Sequence, residues 1–158
     1  MTHRRAQLID ALTEMLETLT APVEESGFPI QLKTVQKRFA HWTALDKQDA
    51  LPAAMIAYGD NGSTPDSDLV GYIDEIYPLA CTAVFKEDST GKAITDQVSD
   101  FHYAIGQLIN ANPTLGVEGV LPDRTRLQWR STEGELIKYE IIKFRIIIVH
   151  RYHASENV

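Results

Sequence analysis

The segment Ile137-Lys-Tyr-Glu-Ile-Ile-Lys-Phe-Arg-Ile-Ile-Ile-Val-His-Arg-Tyr152 obliges any fold of this chain to be built around one long strand. Ile142, Phe144, Ile146, Ile148 and Tyr152 fall on one side of an extended backbone. Lys143, Arg145 and Arg151 fall on the other, with Ile147 and Val149 between them. Alternation of period two with a partly apolar second face predicts a strand that packs on one side and is partly covered on the other. A second segment of the same kind lies upstream. Over Tyr72–Phe85, the residues Tyr77, Leu79, Cys81, Ala83 and Phe85 share one face, and Ile76, Ala80, Thr82 and Val84 share the opposite one. Apolar character on both faces predicts burial on both sides, or burial on one side and a partner on the other.

Two amphipathic helices accompany these strands. Leu8, Ile9, Leu12, Met15, Leu16 and Leu19 recur at three- and four-residue steps, predicting a helix over 3–20 with Thr2 as its N-cap. Pro22 and the group Gly27-Phe28-Pro29 end it in a turn. Ile94, Val98, Phe101, Ile105, Leu108 and Ile109 predict the second helix, over 92–111, stopped by Asn112-Pro113. Residues 30–39 read as a first strand and 40–50 as a polar connection. Leu51–Tyr58 reads as a short buried strand with Pro52 at its start, where a missing N–H is tolerated. Residues 59–71 form the clearest loop, and Lys86–Gly91 a turn. Residues 114–124 form a connection, and Thr125–Ser131 pairs with the last strand through Thr132-Glu-Gly-Glu. The expectation is one α+β domain over 1–158. Its mainly antiparallel sheet has about four to five strands, with two main helices packed on it.

Composition narrows the function classes. The formal net charge of −7 opposes nucleic-acid binding by phosphate neutralisation, yet suits a surface past which DNA slides without sticking. A single cysteine excludes an internal disulfide framework. No apolar run approaches the ~20 residues of a membrane span, and the first residues lack the apolar stretch of a secretory signal.

The search for chemistry returns little. There is no Gly-rich phosphate loop, nucleophile elbow or zinc-type spacing. Neither catalytic residues, nor cofactor-binding residues, nor a metal site are expected. Cys81 and His102 are the one conceivable thiol–imidazole pair, but a mid-strand cysteine reads as a small buried hydrophobe. His150 and His153 read as an exposed strand end. The acidic group Asp60, Asp66, Asp68, Asp74 and Glu75 lacks calcium-loop spacing and reads as a solvated loop, or as an acidic rim that repels DNA phosphates in an assembly. Trp42, with Phe39 and Arg38 just before it, reads either as cover for the core or as an interface anchor. Trp129, within a strand, reads as core.

Several segments together resemble the tail terminator (minor tail, tail-completion) proteins of long-tailed bacteriophages. They are the opening Arg5-Ala-Gln-Leu-Ile-Asp-Ala-Leu12, the element Leu51-Pro-Ala-Ala-Met-Ile-Ala-Tyr-Gly59, and the strand Tyr77–Phe85. The helix end Ile109-Asn-Ala-Asn-Pro-Thr-Leu-Gly116 and the final strand Ile142–Tyr152 complete the set. The likeness is one of element order and spans nearly the whole chain. It implies an α/β subunit that assembles as a homo-hexameric ring in the virion, at the head-proximal end of the tail. Such a ring caps the tail tube protein, stops its polymerisation and meets the head–tail connector or stopper, while genomic DNA passes through. The alternatives are another head–tail joining (neck) protein, a small cytoplasmic enzyme, and a ligand-binding domain.

Overall fold

The computed structural model describes residues 4–57, 65–66, 70–87, 92–130, 138–153 and 155. Helix α1 (Arg4–Glu17) runs on into a 3-10 turn at Thr18–Thr20 and is followed by the short helix α2 (Val23–Ser26). Strand β1 (Thr34–Gln36), helix α3 (Trp42–Lys47) and strands β2 (Ala53–Ala57) and β3 (Pro65–Asp66) lead to the long strand β4 (Tyr72–Lys86). Helix α4 (Ile94–Ala111), a 3-10 turn at Pro122–Arg124, and strands β5 (Arg126–Trp129) and β6 (Tyr139–His153) complete the order.

The sheet runs β1-β2-β4-β6-β5, and β3 pairs with the far end of β4. Its axis is the β4–β6 pair, antiparallel from Tyr72↔His153 to Lys86↔Tyr139. The α+β class and the mainly antiparallel sheet are as expected. One pair departs from it: β1 and β2 are parallel, in the register Thr34↔Ala53 to Gln36↔Met55. A parallel pair needs a crossover. The crossover here contains α3, inside the segment 40–50 that the sequence offers as a plain polar connection. The His41 ring nitrogen accepts the Thr43 N–H and starts this helix.

The first predicted strand is much shorter than 30–39. Ile30 and Leu32 are buried, but the Leu32 N–H bonds the Leu19 carbonyl at the end of α1, so this stretch closes the helix layer before β1 begins. Likewise, the turn expected after Pro22 contains α2, which ends at Gly27 in the left-handed region (φ 75°). In the predicted 59–71 loop, Pro65 and Asp66 are strand, paired with Glu75 and Asp74. The proposed cap Thr2 and the Thr132–Glu135 turn lie outside the described residues, as does most of the 59–71 loop and most of the 86–91 turn.

Helices α1 and α4 cover one face of the sheet. All six apolar positions predicted for the first helix are buried, each contributing roughly 2 kcal/mol of transfer free energy. They meet Ile56 of β2, Leu79, Ala83 and Phe85 of β4, and Ile142 to Ile148 at alternate positions of β6. From α4, Phe101 enters a group of aromatic rings, 5.3 Å from Phe85 and 5.7 Å from Phe144 between centroids. Buried Gln97 joins α4 to the sheet, its Nε2 donating to the carbonyls of Lys86 and Lys92 at 2.8 Å each. Helix α3 covers only one end of the opposite face. There Leu45 packs with Leu51, Ala53, Met55, Val84, Tyr139 and Ile141. The two-sided burial predicted for the upstream strand therefore holds over its C-terminal half.

Candidate functional site

Most of the ionisable side chains buried in the fold lie at the two ends of the β4–β6 pair. Asp46 of α3 accepts from Lys86 (2.8 Å) and from the Tyr139 hydroxyl, with Lys138 at 3.4 Å. Hydrogen bonding from Lys86 and Tyr139 holds the Asp46 carboxyl down at about 2, and the same bond raises Tyr139 above its ordinary value. This cluster fastens α3 across β4 and β6.

At the opposite end, Asp74 is 1% exposed. Arg151, its cross-strand partner in register, grips it through Nε (2.6 Å) and a terminal nitrogen (2.7 Å). Arg124 adds a contact at 3.1 Å. The Arg151 hydrogen bonds hold the Asp74 carboxyl below its ordinary range against the opposing cost of burial. Neighbouring Glu75 faces the helices and accepts from the hydroxyls of Tyr77 and Tyr152 (2.8 Å for the latter), with Arg4 at 3.9 Å. Burial pushes Glu75 up, but the two hydroxyls and Arg4 outweigh it and leave it lowered. Burial and Glu75 together push Tyr77 up to about 12. The Arg4 guanidinium also lies over the Tyr152 ring, 4.1 Å from its centroid. These groups hold one charge state through the neutral range, which suits them to fastening strands rather than moving protons.

A groove of about 570 Å³ opens beside this end, with Gly119, His150 and Tyr72 in its lining. Gly119 has φ +88°, and a Cβ there would lie 2.7 Å from His150 Nε2. Only a glycine lets the 117–120 segment lie this close to β6, where its carbonyl accepts the Arg151 N–H at 2.8 Å. His150 is therefore buried, contrary to the exposed strand end read from the sequence, because this segment crosses it. Its Nε2 donates to the Glu118 carbonyl (2.9 Å), which fixes the proton on that nitrogen. His153 is exposed, as expected.

Of the acidic group, Asp74 and Glu75 are not the solvated loop residues read from the sequence. Asp74 and Glu75 belong to β4, and arginine and tyrosine partners draw them inward. Asp66 pairs through its backbone with Asp74, while Asp60 and Asp68 lie outside the described residues. Arg38 and Phe39 are exposed, Phe39 at 57%, and follow edge strand β1. Trp42 is half-buried against the smaller core cluster and stacked on His41, with centroids 3.9 Å apart. Trp129 packs on the main core, as predicted, and His102 stacks on its outer side at 3.7 Å. Cys81 lies inside that core, where its thiol contacts the Leu79 carbonyl and burial pushes its pKa up, away from thiolate chemistry. Among the described residues no group of three or more His, Cys, Asp or Glu side chains could hold a metal ion, and no helix is long and apolar enough to cross a membrane.

One surface went unremarked in the sequence. On the sheet face away from α1 and α4, the register sets Gln128 opposite Arg145 and carries Arg126 and Arg130 beside Lys143 and Arg145. Arg126 and Arg130 are exposed, and Lys143 and Arg145 half-exposed. Arg130, Lys143 and Arg145 border a shallow depression of about 230 Å³ that Ala80 and Thr82 also line. Such a strip is unexpected in a chain of net charge −7.

The low carboxylate values have a measurable consequence. Both aspartates titrate lower in the folded chain than the ordinary 3.8, so their stabilisation is complete above that value and disappears as pH falls through the folded-state pKa. The melting temperature should therefore drop steadily from about pH 4 toward the Asp46 value of about 2. Asp46→Asn should flatten part of that slope in a pH series of thermal melts. An unchanged slope would remove Asp46 from the account.

No protein-family model matches the chain, and no curated protein matches it.

Proposed function

We propose that the chain is a structural subunit of a bacteriophage tail, a ring-forming terminator that caps the tail tube and joins it to the head connector. The observation that carries this reading is the sheet's two short edges. Strands β1 and β5, of three and four residues, lie on opposite flanks of a long central pair. A subunit in a closed ring must offer two different surfaces to two neighbours, and opposite flanks of one sheet supply them. The element order that carries the resemblance supports the reading, as do buried polar clusters that act as fasteners with fixed charge. In this reading the ring is a homo-hexamer, its partners are the tube protein and the connector or stopper, and DNA passes through its lumen unbound.

Light scattering on the purified protein, alone and mixed with assembled tail tubes, tests the proposal. A ring mass, or binding confined to tube ends, supports it. A monomer that ignores tubes rejects it.

Arg38, Phe39 and Trp42 remain the proposed anchors on the β1 flank. Phe39→Ala should leave the melting temperature within about 2 °C of the parent. It should also weaken association or docking by about ten-fold, the effect of losing one anchor. Trp42→Ala should weaken association too. If that variant unfolds, Trp42 acts as cover for the smaller core and not as an anchor.

A further inference from the structure

Two surface patches on opposite sides of the sheet differ in the sign of their charge. Helix α1 begins over the β4–β6 end, where Arg4 meets Tyr152 and Glu75, and packs along β1 and β2. An Asp10–Lys37 ion pair ties it to the chain just beyond β1. Val23 of α2 lies in the same surface depression as Lys33 and Pro52, beside the starts of β1 and β2. The outer surfaces of α1 and α2 present Glu14, Glu17, Glu24 and Glu25, all exposed. Two lysines of this flank are already neutralised, Lys37 by Asp10 and Lys33 by Asp49 at 2.9 Å. Across the sheet, the β5 flank carries the strip of Arg126, Arg130, Lys143 and Arg145.

We propose that this cationic strip is an interaction surface for a second copy of the chain, receiving the acidic outer face of its α1–α2 corner head to tail. The assignment rests on the self-assembling reading above and specifies which surfaces meet. Residues four apart on a strand are ~13 Å apart, and those two apart ~7 Å. Neighbouring glutamates on a helix face are ~5 Å apart. The strip is thus broad enough to face the end of α1 and the short helix α2 at once. A contact between unlike patches on opposite flanks repeats around a ring without using either surface twice. Exposed ion pairs contribute little each, so the contact governs the choice of neighbour and the association rate and weakens with salt.

Charge exchange tests it. Arg126→Glu/Arg130→Glu and Glu24→Arg/Glu25→Arg alter exposed positions, and thermal melts within about 2 °C of the parent confirm that each folds. Sedimentation velocity, with and without tail tubes, then reads assembly. Either reversal alone should weaken assembly by about ten-fold. The chain carrying all four changes should regain it, and added salt should weaken the parent. A parent that assembles while both reversals assemble equally well overturns this interface and leaves the terminator reading standing. A parent that never assembles, with or without tubes, overturns both. Should reversal of Asp60 and Asp68, and not of the glutamates, mimic the loss, the strip's partner is the 58–69 segment and the assignment fails. It fails equally if duplex DNA binds the parent and Arg126→Glu/Arg130→Glu abolishes that binding.

Discussion

Replacing Phe101 with alanine is expected to cost about 4 kcal/mol of stability, the largest loss from any single side chain discussed here. The ring is fully buried among Phe85, Phe144 and Trp129, whereas His102, also from α4, is exposed and touches that group only by stacking on Trp129. Truncation removes its transfer free energy and leaves a cavity between a helix and a sheet. Neither can close the gap without moving, because Gln97 fixes the start of α4 to the Lys86 carbonyl. A chain of this length should lose about 12 °C in melting temperature. Phe101→Leu, which keeps most of the volume, should lose less than half as much. Equal losses from the two variants would show that ring geometry, and not filled volume, matters at this position.

The second large effect is expected at Asp74. Asp74→Ala leaves the Arg151 guanidinium without its principal carboxylate and withdraws a charge contact from Arg124. Breaking one side of a buried pair costs about 3 kcal/mol, at the lower end of the usual range because both arginines retain some water contact. The melting temperature should fall by about 9 °C. Arg124→Ala should cost under half of this, since Arg151 still satisfies both carboxylate oxygens. If the Arg124 variant loses as much as the Asp74 variant, the 3-10 turn at Pro122–Arg124 rather than the cross-strand pair is what holds this end.

These sites show which features are legible in a sequence and which need three dimensions. Strands β4 and β6 and helix α4 could be read almost to the residue, because each repeats its apolar pattern over more than ten positions. Short elements have no room for a period. Helix α3 has one buried leucine, Leu45, and strand β1 is three residues long, so neither stands out from its surroundings. The burial of Asp74 was hidden for another reason. An aspartate beside a Gly-, Ser- and Asp-rich segment looks solvated until strand register places an arginine 77 positions away opposite it. The cationic strip was hidden in the same way. Arg126 and Arg130 on one strand, and Lys143 and Arg145 on another, each look like ordinary solvent-facing alternation. The Gln128↔Arg145 register makes them one surface.

The unbroken β4–β6 ladder has a mechanical consequence. Its fifteen paired positions on each strand make a ribbon about 45 Å long, against an expected radius of gyration near 15 Å for a chain of this length. It therefore acts as a beam through the subunit, with the Asp74–Arg151 lock at one end and the Asp46–Lys86–Tyr139 lock at the other. Tension applied along that axis loads the rungs side by side in shear, so the ladder gives way only when many of them break together. Tension across the axis opens them one at a time from whichever lock fails first. The subunit should be stiff along the ribbon and far weaker across it, and an assembly in which these beams lie parallel to the pull would inherit that stiffness.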